Sequence, residues 1–237
     1  TAYEMLRSLV GSEMCIRDRP YHVTEKPYEQ LSAFFNLIIM ASVGAFTPLG
    51  ERVKPGGAFG PCILCRREEY QRVGGHAGIH SEMLEDIPLA KLFSRHDLPV
   101  RCHAGRGILS FRMYSAGWPA LVEGWTKGMG YGAFSVNPLF SLLTTAWIAG
   151  CFGAFYALLL ALRAPADWPA WLTYLAYALL IGRLLQGIGR FQWWAVVFFP
   201  IPLCFFGLTV VRSLLLTYLH KRVTWKGRAL PPAKREK

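Results

Sequence analysis

Charged side chains are scarce in the second half of this 237-residue chain. Between residues 138 and 219 there is no lysine and no glutamate, and the ionisable side chains other than Cys and Tyr are Arg163, Asp167, Arg183, Arg190 and Arg212. The whole chain is 53% hydrophobic and 17% charged, which is too apolar for an ordinary soluble domain. The sequence therefore predicts a membrane-embedded helical bundle over residues 138–219.

Other absences concern the features typical of secreted proteins. The sequence has no Asn-x-Ser/Thr acceptor site, and its 6 cysteines are irregularly spaced, so nothing indicates a disulfide framework. Residues 1–19 lack the basic, apolar and cleavage regions of a signal peptide. Their SLVGSEMCIRDR resembles translated sequencing adaptor, so we set them aside from the functional argument and expect native sequence to start near Pro20.

Positive charge is concentrated at the C-terminus. The net charge is +11, and residues 220–237 carry a large excess of Lys and Arg over Glu. Nucleic acid is one partner for such a tail. Because the tail follows an apolar helix directly, a juxtamembrane anchor to anionic membrane lipids is the better interpretation, and no nucleic-acid partner is expected.

The polar half contains short alternating elements. We predict a helix over residues 26–46 with Pro27 in its first turn, packed on a sheet or lying at the membrane surface. A transmembrane span is the alternative for this helix. A Gly/Pro-rich loop, a short strand within 59–66 and a helical turn over 68–73 follow, and Gly74-Gly75 ends that turn. A helix over 82–96 and a strand over 100–103 complete this part.

Residues 118–137 are predicted to form an interfacial linker. An amphipathic piece over 120–129 carries Trp125 and Lys127, which suit the headgroup layer. The run from Gly128 to Gly132 is expected to be a flexible bend.

Three apolar blocks follow the linker, over residues 139–162, 168–188 and 191–219. The first two have the length of a membrane span. The third is interrupted by Pro200 and Pro202, so either three spans or two spans with a re-entrant segment are compatible with the sequence. The side of the membrane that the basic tail occupies stays open for the same reason.

Glu85 and Asp86 are the strongest candidates for chemistry. They follow a Gly-rich turn and fall in the first turns of a predicted helix, where the helix dipole favours carboxylates. Adjacent residues on a helix point about 100° apart, so the two carboxyls cannot share one proton. Asp86 is suited to act as a general base on an acceptor oxygen. A solvated, acid-decorated helix N-terminus is the alternative.

Several longer segments carry a resemblance to a known family. They are PYHVTEKPYEQLSAFFNLI, VGAFTPLGERVKPGGAFGPCILCRREEYQRVGGH, LEDIPLA, RGILSFRMY, GWTKG and TWKGR. Together they cover nearly everything from Pro20 to Arg228. On these segments the chain resembles the membrane-bound family 2 glycosyltransferases, and most of all their carotenoid-acid group.

The resemblance implies an α/β fold, the C-terminal part of a GT-A type nucleotide-sugar domain over residues 20–117, followed by an α-helical transmembrane bundle. It implies a nucleotide-sugar donor, a lipid-soluble acceptor such as a carotenoid acid, and a bacterial inner-membrane location with a cytoplasmic catalytic part. Asp86, beside Glu85, falls on the family's catalytic-base position. Gly74, Gly75 and His76 fall on the loop lining the donor and acceptor cleft.

Arg112 falls near the family's Gln-x-x-Arg-Trp element, whose arginine contacts the diphosphate. Leu109 and Met113 replace the Gln and Trp here, a departure that favours transfer of a single sugar over polymer synthesis. A structural arginine paired with a carboxylate is the alternative.

The family's Asp-x-Asp element, which holds Mg²⁺ or Mn²⁺ on the donor diphosphate, has no match in the sequence. The metal is therefore expected in the full-length protein, this chain is expected to bind none, and we expect it to be inactive alone. Cys62 and Cys65 form half of a zinc-site pattern, but no second closely spaced pair completes it.

Two further alternatives stay open. A transport or structural membrane protein with a cytoplasmic regulatory domain is a different class of function, although no carboxylate lies within the apolar blocks. A hopanoid, sterol-like lipid or ceramide is a different acceptor. An acidic acceptor favours a cationic partner, for which Arg52, Lys54 and Arg106 are available, and Trp118, Trp125 and Tyr131 are candidates for lining the acceptor's path.

Overall fold

The structure is a computed structural model. It describes residues 15–43, 63–79, 86–98, 100–107, 109–132, 138–163, 167–218, 223–225 and 228–230. Helices dominate these residues, and the strands are short. The predicted loop within 47–60, together with Glu85, Arg52 and Lys54, lies outside the described residues.

Two small sheets are joined through Pro20. Strand β1 (Cys15–Arg19) lies between β3 (Leu64–Cys65), which is antiparallel to it, and β4 (Val100–Ala104), which is parallel. Residues 15–19, set aside in the functional argument, thus form the middle strand of the first sheet, and the predicted strand over 100–103 is confirmed.

The second sheet ties the polar half to the bundle. Strand β2 (Tyr21–Val23) lies between β5 (Ser110–Phe111) and β6 (Gly189–Arg190), and both pairings are parallel. Because β6 directly follows an apolar helix, this sheet fixes the end of that helix against the segment that starts at Tyr21. A separate hairpin is formed by β7 (Val223–Trp225) and β8 (Arg228–Leu230).

The helices occur in two groups. The polar half contains a 3₁₀ helix (Pro27–Ser32), α1 (Ala33–Val43), α2 (Arg67–Arg72), a second 3₁₀ helix (Gly75–Ile79) and α3 (Asp86–Arg95). The apolar half contains α4 (Trp118–Gly132), α5 (Pro138–Ala161), α6 (Trp168–Ile188), α7 (Trp193–Val197) and α8 (Pro200–Tyr218). The predicted start at Pro27 and the end of α2 before Gly74 are confirmed.

Helix α1 is the centre of the bundle, which corrects the expectation that it packs on a sheet. Ala33, Phe34 and Phe35 are fully buried, in one core with residues of α4, α5, α6 and α8. A helix that is apolar on every side has to be covered on every side. Four helices provide most of that cover, and His22 of β2 contacts Asn36 of α1.

The run from Gly128 to Gly132 is helical, so the predicted flexible bend is wrong. It continues α4, which is held against α8 by the hydrogen bond from Ser213 Oγ to the carbonyl oxygen of Thr126, 2.7 Å long. Packing of α4 on a neighbour thus overrides the low helix propensity of glycine.

Helices α5 and α6 are each long and apolar enough to cross a membrane. Much of their surface is exposed leucine, including Leu142 and Leu179 at 66% and 65% exposure. Such a surface is unfavourable in water and suits lipid, which supports membrane association. The third block is divided at residues 198–199, just before Pro200, into the short α7 and the longer α8.

Candidate functional site

Asp86 is the first residue of α3. The helix is anchored by the fully buried Leu89 and Phe93, which pack with Val73 and Ile79. This second core sets the start of α3 relative to the turn that follows α2. The structure describes the backbone of Asp86, whereas Glu85 lies outside the described residues.

The predicted Gly-rich loop is a tight turn built on a tyrosine. Gly74 and Gly75 have φ angles of +81° and +52°, in the left-handed region that favours glycine. A Cβ on Gly75 would come within 2.6 Å of the Tyr70 ring, whereas one on Gly74 would meet open space. The sequence Gly74-Gly75 is therefore required by backbone geometry, and most strictly at Gly75.

His76 is oriented by the same tyrosine. The backbone N–H of His76 donates to Tyr70 Oη at 3.0 Å, and Tyr70 Oη lies 2.6 Å from His76 Nδ1. Both contacts fix the position of the imidazole relative to the Tyr70 hydroxyl. The turn thus holds the His76 ring in one orientation.

Arg112 follows β5 and binds a buried carboxylate. Its Nε and Nη2 donate to Glu29 Oε1 at 3.0 and 2.7 Å, and its Nη1 lies 2.5 Å from Glu25 Oε2. The other oxygen of Glu29 accepts the backbone N–H groups of Glu25 and Lys26 at 2.7 and 3.1 Å. Both oxygens of Glu29 are therefore hydrogen-bonded.

These contacts decide the charge state of the pair. Burial by itself would raise the pKa of Glu29, but the hydrogen bonds from Arg112 and from the two backbone amides hold that pKa below its ordinary value of 4.5. The hydrogen bond with Glu29 outweighs desolvation and raises the pKa of Arg112. The pair is thus ionised at neutral pH.

A buried polar network extends from this pair towards α6, and the sequence reasoning missed it. Gln30 Nε2 donates to Thr24 Oγ1 at 2.7 Å, and the backbone N–H of Gln192 donates to Gln30 Oε1 at 2.9 Å. Asn36 Nδ2 lies 3.0 Å from His22 Nδ1 and donates to the carbonyl oxygen of Ser32 at 2.7 Å. The signal available in the sequence was the set of polar residues interrupting an apolar segment.

The described contacts divide the predicted site residues into two groups. Gly74, Gly75, His76 and the start of α3 at Asp86 share one small core, whereas Arg112 belongs to the network of Glu25 and Glu29.

Burial bears on the aromatic residues that were expected to line the acceptor's path. Trp125 is 3% exposed and stacks on Phe35, with ring centroids 4.4 Å apart, so it does not line a path for an acceptor. Trp118 is 48% exposed, and the side chain of Tyr131 lies outside the described residues.

A metal does not fit the described side chains. Within the described ranges, no three His, Cys, Asp or Glu residues cluster closely enough to hold an ion, and the Asp-x-Asp element has no match in the sequence.

The comparison with known proteins extends over most of the chain. The chain is 36% identical over 212 residues to the 4,4'-diaponeurosporenoate glycosyltransferase of Staphylococcus haemolyticus strain JCSC1435. The aligned region covers 89% of this chain and 56% of that protein. The enzyme of the same name from Staphylococcus aureus strain MRSA252 is 31% identical over 222 residues, covering 93% of this chain and 59% of that protein. The chain is a homologue of these carotenoid-acid glycosyltransferases.

The resemblance expected from the sequence is thereby confirmed. The chain spans a little over half the length of the curated relatives that it matches. No protein-family model matches the chain, and no solved structure matches it significantly.

Proposed function

We propose that this chain is part of a membrane-bound glycosyltransferase that transfers a single sugar from a nucleotide-sugar donor to a carotenoid acid. The observation that carries the proposal is the similarity over about nine tenths of the chain to two enzymes named 4,4'-diaponeurosporenoate glycosyltransferase. The two apolar helices, α5 and α6, support a site at a membrane, where such an acceptor dissolves.

The proposal includes a GT-A type α/β fold for the catalytic part, which faces the cytoplasm from a bacterial inner membrane. The two small sheets with their parallel pairings are compatible with the C-terminal edge of such a domain. A divalent metal, Mg²⁺ or Mn²⁺, on the donor diphosphate belongs to the proposal for the full-length enzyme. Without an Asp-x-Asp element the 237-residue chain is proposed to be inactive alone.

The proposed reaction is a displacement at the anomeric carbon with inversion. An acceptor oxygen forms the new glycosidic bond, while the bond from the anomeric carbon to the diphosphate oxygen breaks and its electron pair leaves with the nucleoside diphosphate. Asp86, the first residue of α3, is proposed to take the acceptor proton as general base. Gly74, Gly75 and His76 are proposed to line the cleft beside it.

The acceptor's own ionisation sets how much a base contributes. A carotenoid carboxyl group in the low-dielectric headgroup layer has a raised pKa and keeps part of its proton, so Asp86 has a proton to remove. Once ionised, the same carboxylate is already a nucleophile and needs a cationic partner instead. A basic binding site and a general base are therefore complementary parts of one mechanism.

The proposed role of Arg112 is to contact the donor diphosphate. Its pairing with Glu29 supports a fixed orientation, because Glu29 is buried and ionised. Glu25 is half exposed, at 56% of its side chain, so the Nη1 edge of Arg112 is the one that a diphosphate would reach by displacing a carboxylate.

The deciding experiment uses the protein expressed from its complete gene in cells that make a carotenoid acid. The expected product is the glycosyl ester, measured by mass spectrometry of extracted pigments. Asp86→Asn is expected to lower turnover by about 10²–10⁴-fold at equal protein level, whereas Asp97→Asn, on an exposed turn after α3, is the matched control. Absence of the glycosyl ester with the unaltered protein would overturn the proposal.

A further inference from the structure

An open cleft lies along α6 and is lined also by residues of α7 and by Tyr21 and Arg106. Its volume is about 690 Å³, within the range of small-molecule sites. One stripe of α6, three to four residues apart, forms a wall that runs from Leu175 to Gln186. The eleven residue steps from Leu175 to Gln186 correspond to a wall of roughly 16 Å, a length that accommodates part of an extended chain.

The cleft changes from apolar to cationic along its length. Leu175 and Leu179 lie at one end and are exposed at 52% and 65%, and Val197 of α7 faces the same space. Arg183 lies nearer the C-terminal end of α6, and Arg190 follows in β6. An amphiphile with an apolar body and an acidic head therefore matches the cleft in one orientation.

Three arginines share this cleft. Arg183 and Arg190 are joined by Arg106, from the turn after β4, and all three are exposed. Among the described residues that line the cleft, none is acidic, and no described ion pair engages these three side chains. Snorkelling towards headgroups explains a single arginine, but it does not explain an apolar groove that ends at three of them.

The cationic end of the cleft adjoins the network that orients Arg112. Phe191, a lining residue, packs edge-on to His22 with ring centroids 5.6 Å apart, and His22 stacks on Phe111 at 5.2 Å. Phe111 directly precedes Arg112. Two aromatic contacts thus separate the head of the cleft from the arginine that is proposed to meet the donor.

We infer that this cleft binds the acceptor: a long-chain polyene carboxylic acid, with its apolar chain along α6 and its carboxylate held by Arg106, Arg183 and Arg190. The inference rests on the proposed function for the choice of acceptor. Charge-assisted hydrogen bonds from a planar guanidinium suit a carboxylate, so the three arginines would hold the acceptor's carboxylate once Asp86 has taken its proton.

The test measures binding and does not depend on turnover. The protein expressed from its complete gene is purified in nanodiscs of phosphatidylcholine and titrated with parinaric acid, a fluorescent polyene carboxylic acid, and with its methyl ester. The acid is expected to bind, and the combined variant Arg106→Gln, Arg183→Gln, Arg190→Gln is expected to raise its Kd by about tenfold or more. The ester is expected to bind weakly and with no change in the variant.

Arg212→Gln is the matched control, because Arg212 is an exposed arginine of α8 outside the cleft lining. The single variant Arg183→Gln, checked by gel filtration, keeps the test valid if the combined variant does not fold. An unchanged Kd in both folded variants would overturn the inference. So would displacement of the acid by phosphatidylglycerol at membrane levels, which would make the cleft a site for lipid headgroups.

The two proposals fail separately. A protein that binds parinaric acid through these arginines but forms no glycosyl ester keeps the acceptor cleft and overturns the proposed reaction. A protein that forms the ester with the same acceptor KM in wild type and variant keeps the reaction and overturns the cleft.

Discussion

Arg112 donates two hydrogen bonds, from Nε and Nη2, to one and the same oxygen of the buried Glu29. The other oxygen of Glu29 accepts two backbone amides at the start of the first 3₁₀ helix. The carboxylate therefore joins the residue after β5 to the segment before α1, and through α1 to the centre of the bundle. A change in the charge of Glu29 should be felt in both halves of the protein.

We predict that Glu29 makes stability depend on acidic pH. The folded-state pKa of Glu29 lies below the ordinary value of 4.5. The pair of Glu29 and Arg112 therefore makes its full contribution to the free energy of unfolding above about pH 4.5, and this contribution is lost as the pH falls through the lowered pKa. Thermal unfolding of the purified protein in detergent between about pH 7 and pH 3 should show this loss. The Glu29→Gln protein should unfold at a lower temperature than the wild type at neutral pH, and its unfolding temperature should fall less on acidification.

Glu68→Gln is the control for that measurement, because Glu68 lies on the exposed first turn of α2. It should leave the midpoint and its pH dependence unchanged. A Glu29→Gln protein with the same pH profile as the wild type would show that the pair does not couple folding to protonation.

We next predict that Glu29 acts on catalysis through Arg112. Arg112→Lys removes the planar fork and should lower kcat by about 10²–10³-fold and raise the donor KM. Because Glu29 orients that fork, adding Glu29→Gln to Arg112→Lys should cause little further loss. Steady-state kinetics of the two single variants and the double variant, all from the complete gene, measure the coupling.

The outcome also decides between the two roles considered for Arg112. If the losses multiply, Glu29 and Arg112 act independently and the positioning role of Glu29 is wrong. If Arg112→Lys changes the unfolding temperature but leaves the donor KM and kcat as in the wild type, the arginine is structural.

The sequence predicted where the helices lie along the chain better than it predicted which elements they pack against. Pro27 marked the start of the first 3₁₀ helix, and charge scarcity located α5 and α6, because both signals are local. The burial of α1 in a helical bundle was not predicted, since its apolar run is shorter than a membrane span. In the structure Asn36 contacts His22 and Ser32, and the pairing with His22 depends on a strand fourteen positions earlier.

The candidate site shows the same division. Two consecutive glycines predicted a turn with left-handed backbone, and Gly74 and Gly75 form one. The alternative of a carboxylate partner for Arg112 was foreseen, but its identity was not, because Glu29 is 83 residues away along the chain. The role of Asp86 stays a prediction.

For the turn itself we predict unequal effects of adding one methyl group. Gly74→Ala should lower the free energy of unfolding by about 1–2 kcal/mol, because the alanine would be held in the strained left-handed region. Gly75→Ala should cost about 1–3 kcal/mol more, because its Cβ would also overlap the Tyr70 ring. Hydrogen–deuterium exchange over residues 67–79 should therefore rise more in Gly75→Ala. Equal exchange in the two variants would contradict the packing of Tyr70 against Gly75.

The strongest structural prediction concerns Phe35. Its ring is fully buried, stacks on Trp125 and packs edge-on against Phe206 at 5.1 Å. Phe35→Ala should therefore destabilise the bundle by about 3–5 kcal/mol, since it leaves a cavity among four helices. Equilibrium unfolding in mixed detergent micelles, followed by tryptophan fluorescence, measures this loss.

Phe198→Ala is the matched variant, because Phe198 lies in the bundle half but is 51% exposed. Removing its ring leaves no enclosed cavity, so its cost should fall well below that of Phe35→Ala. Equal costs at the two positions would mean that α1 is not enclosed by the bundle. In that case the polar network, which depends on the position of α1, would no longer connect Arg112 to the end of α6.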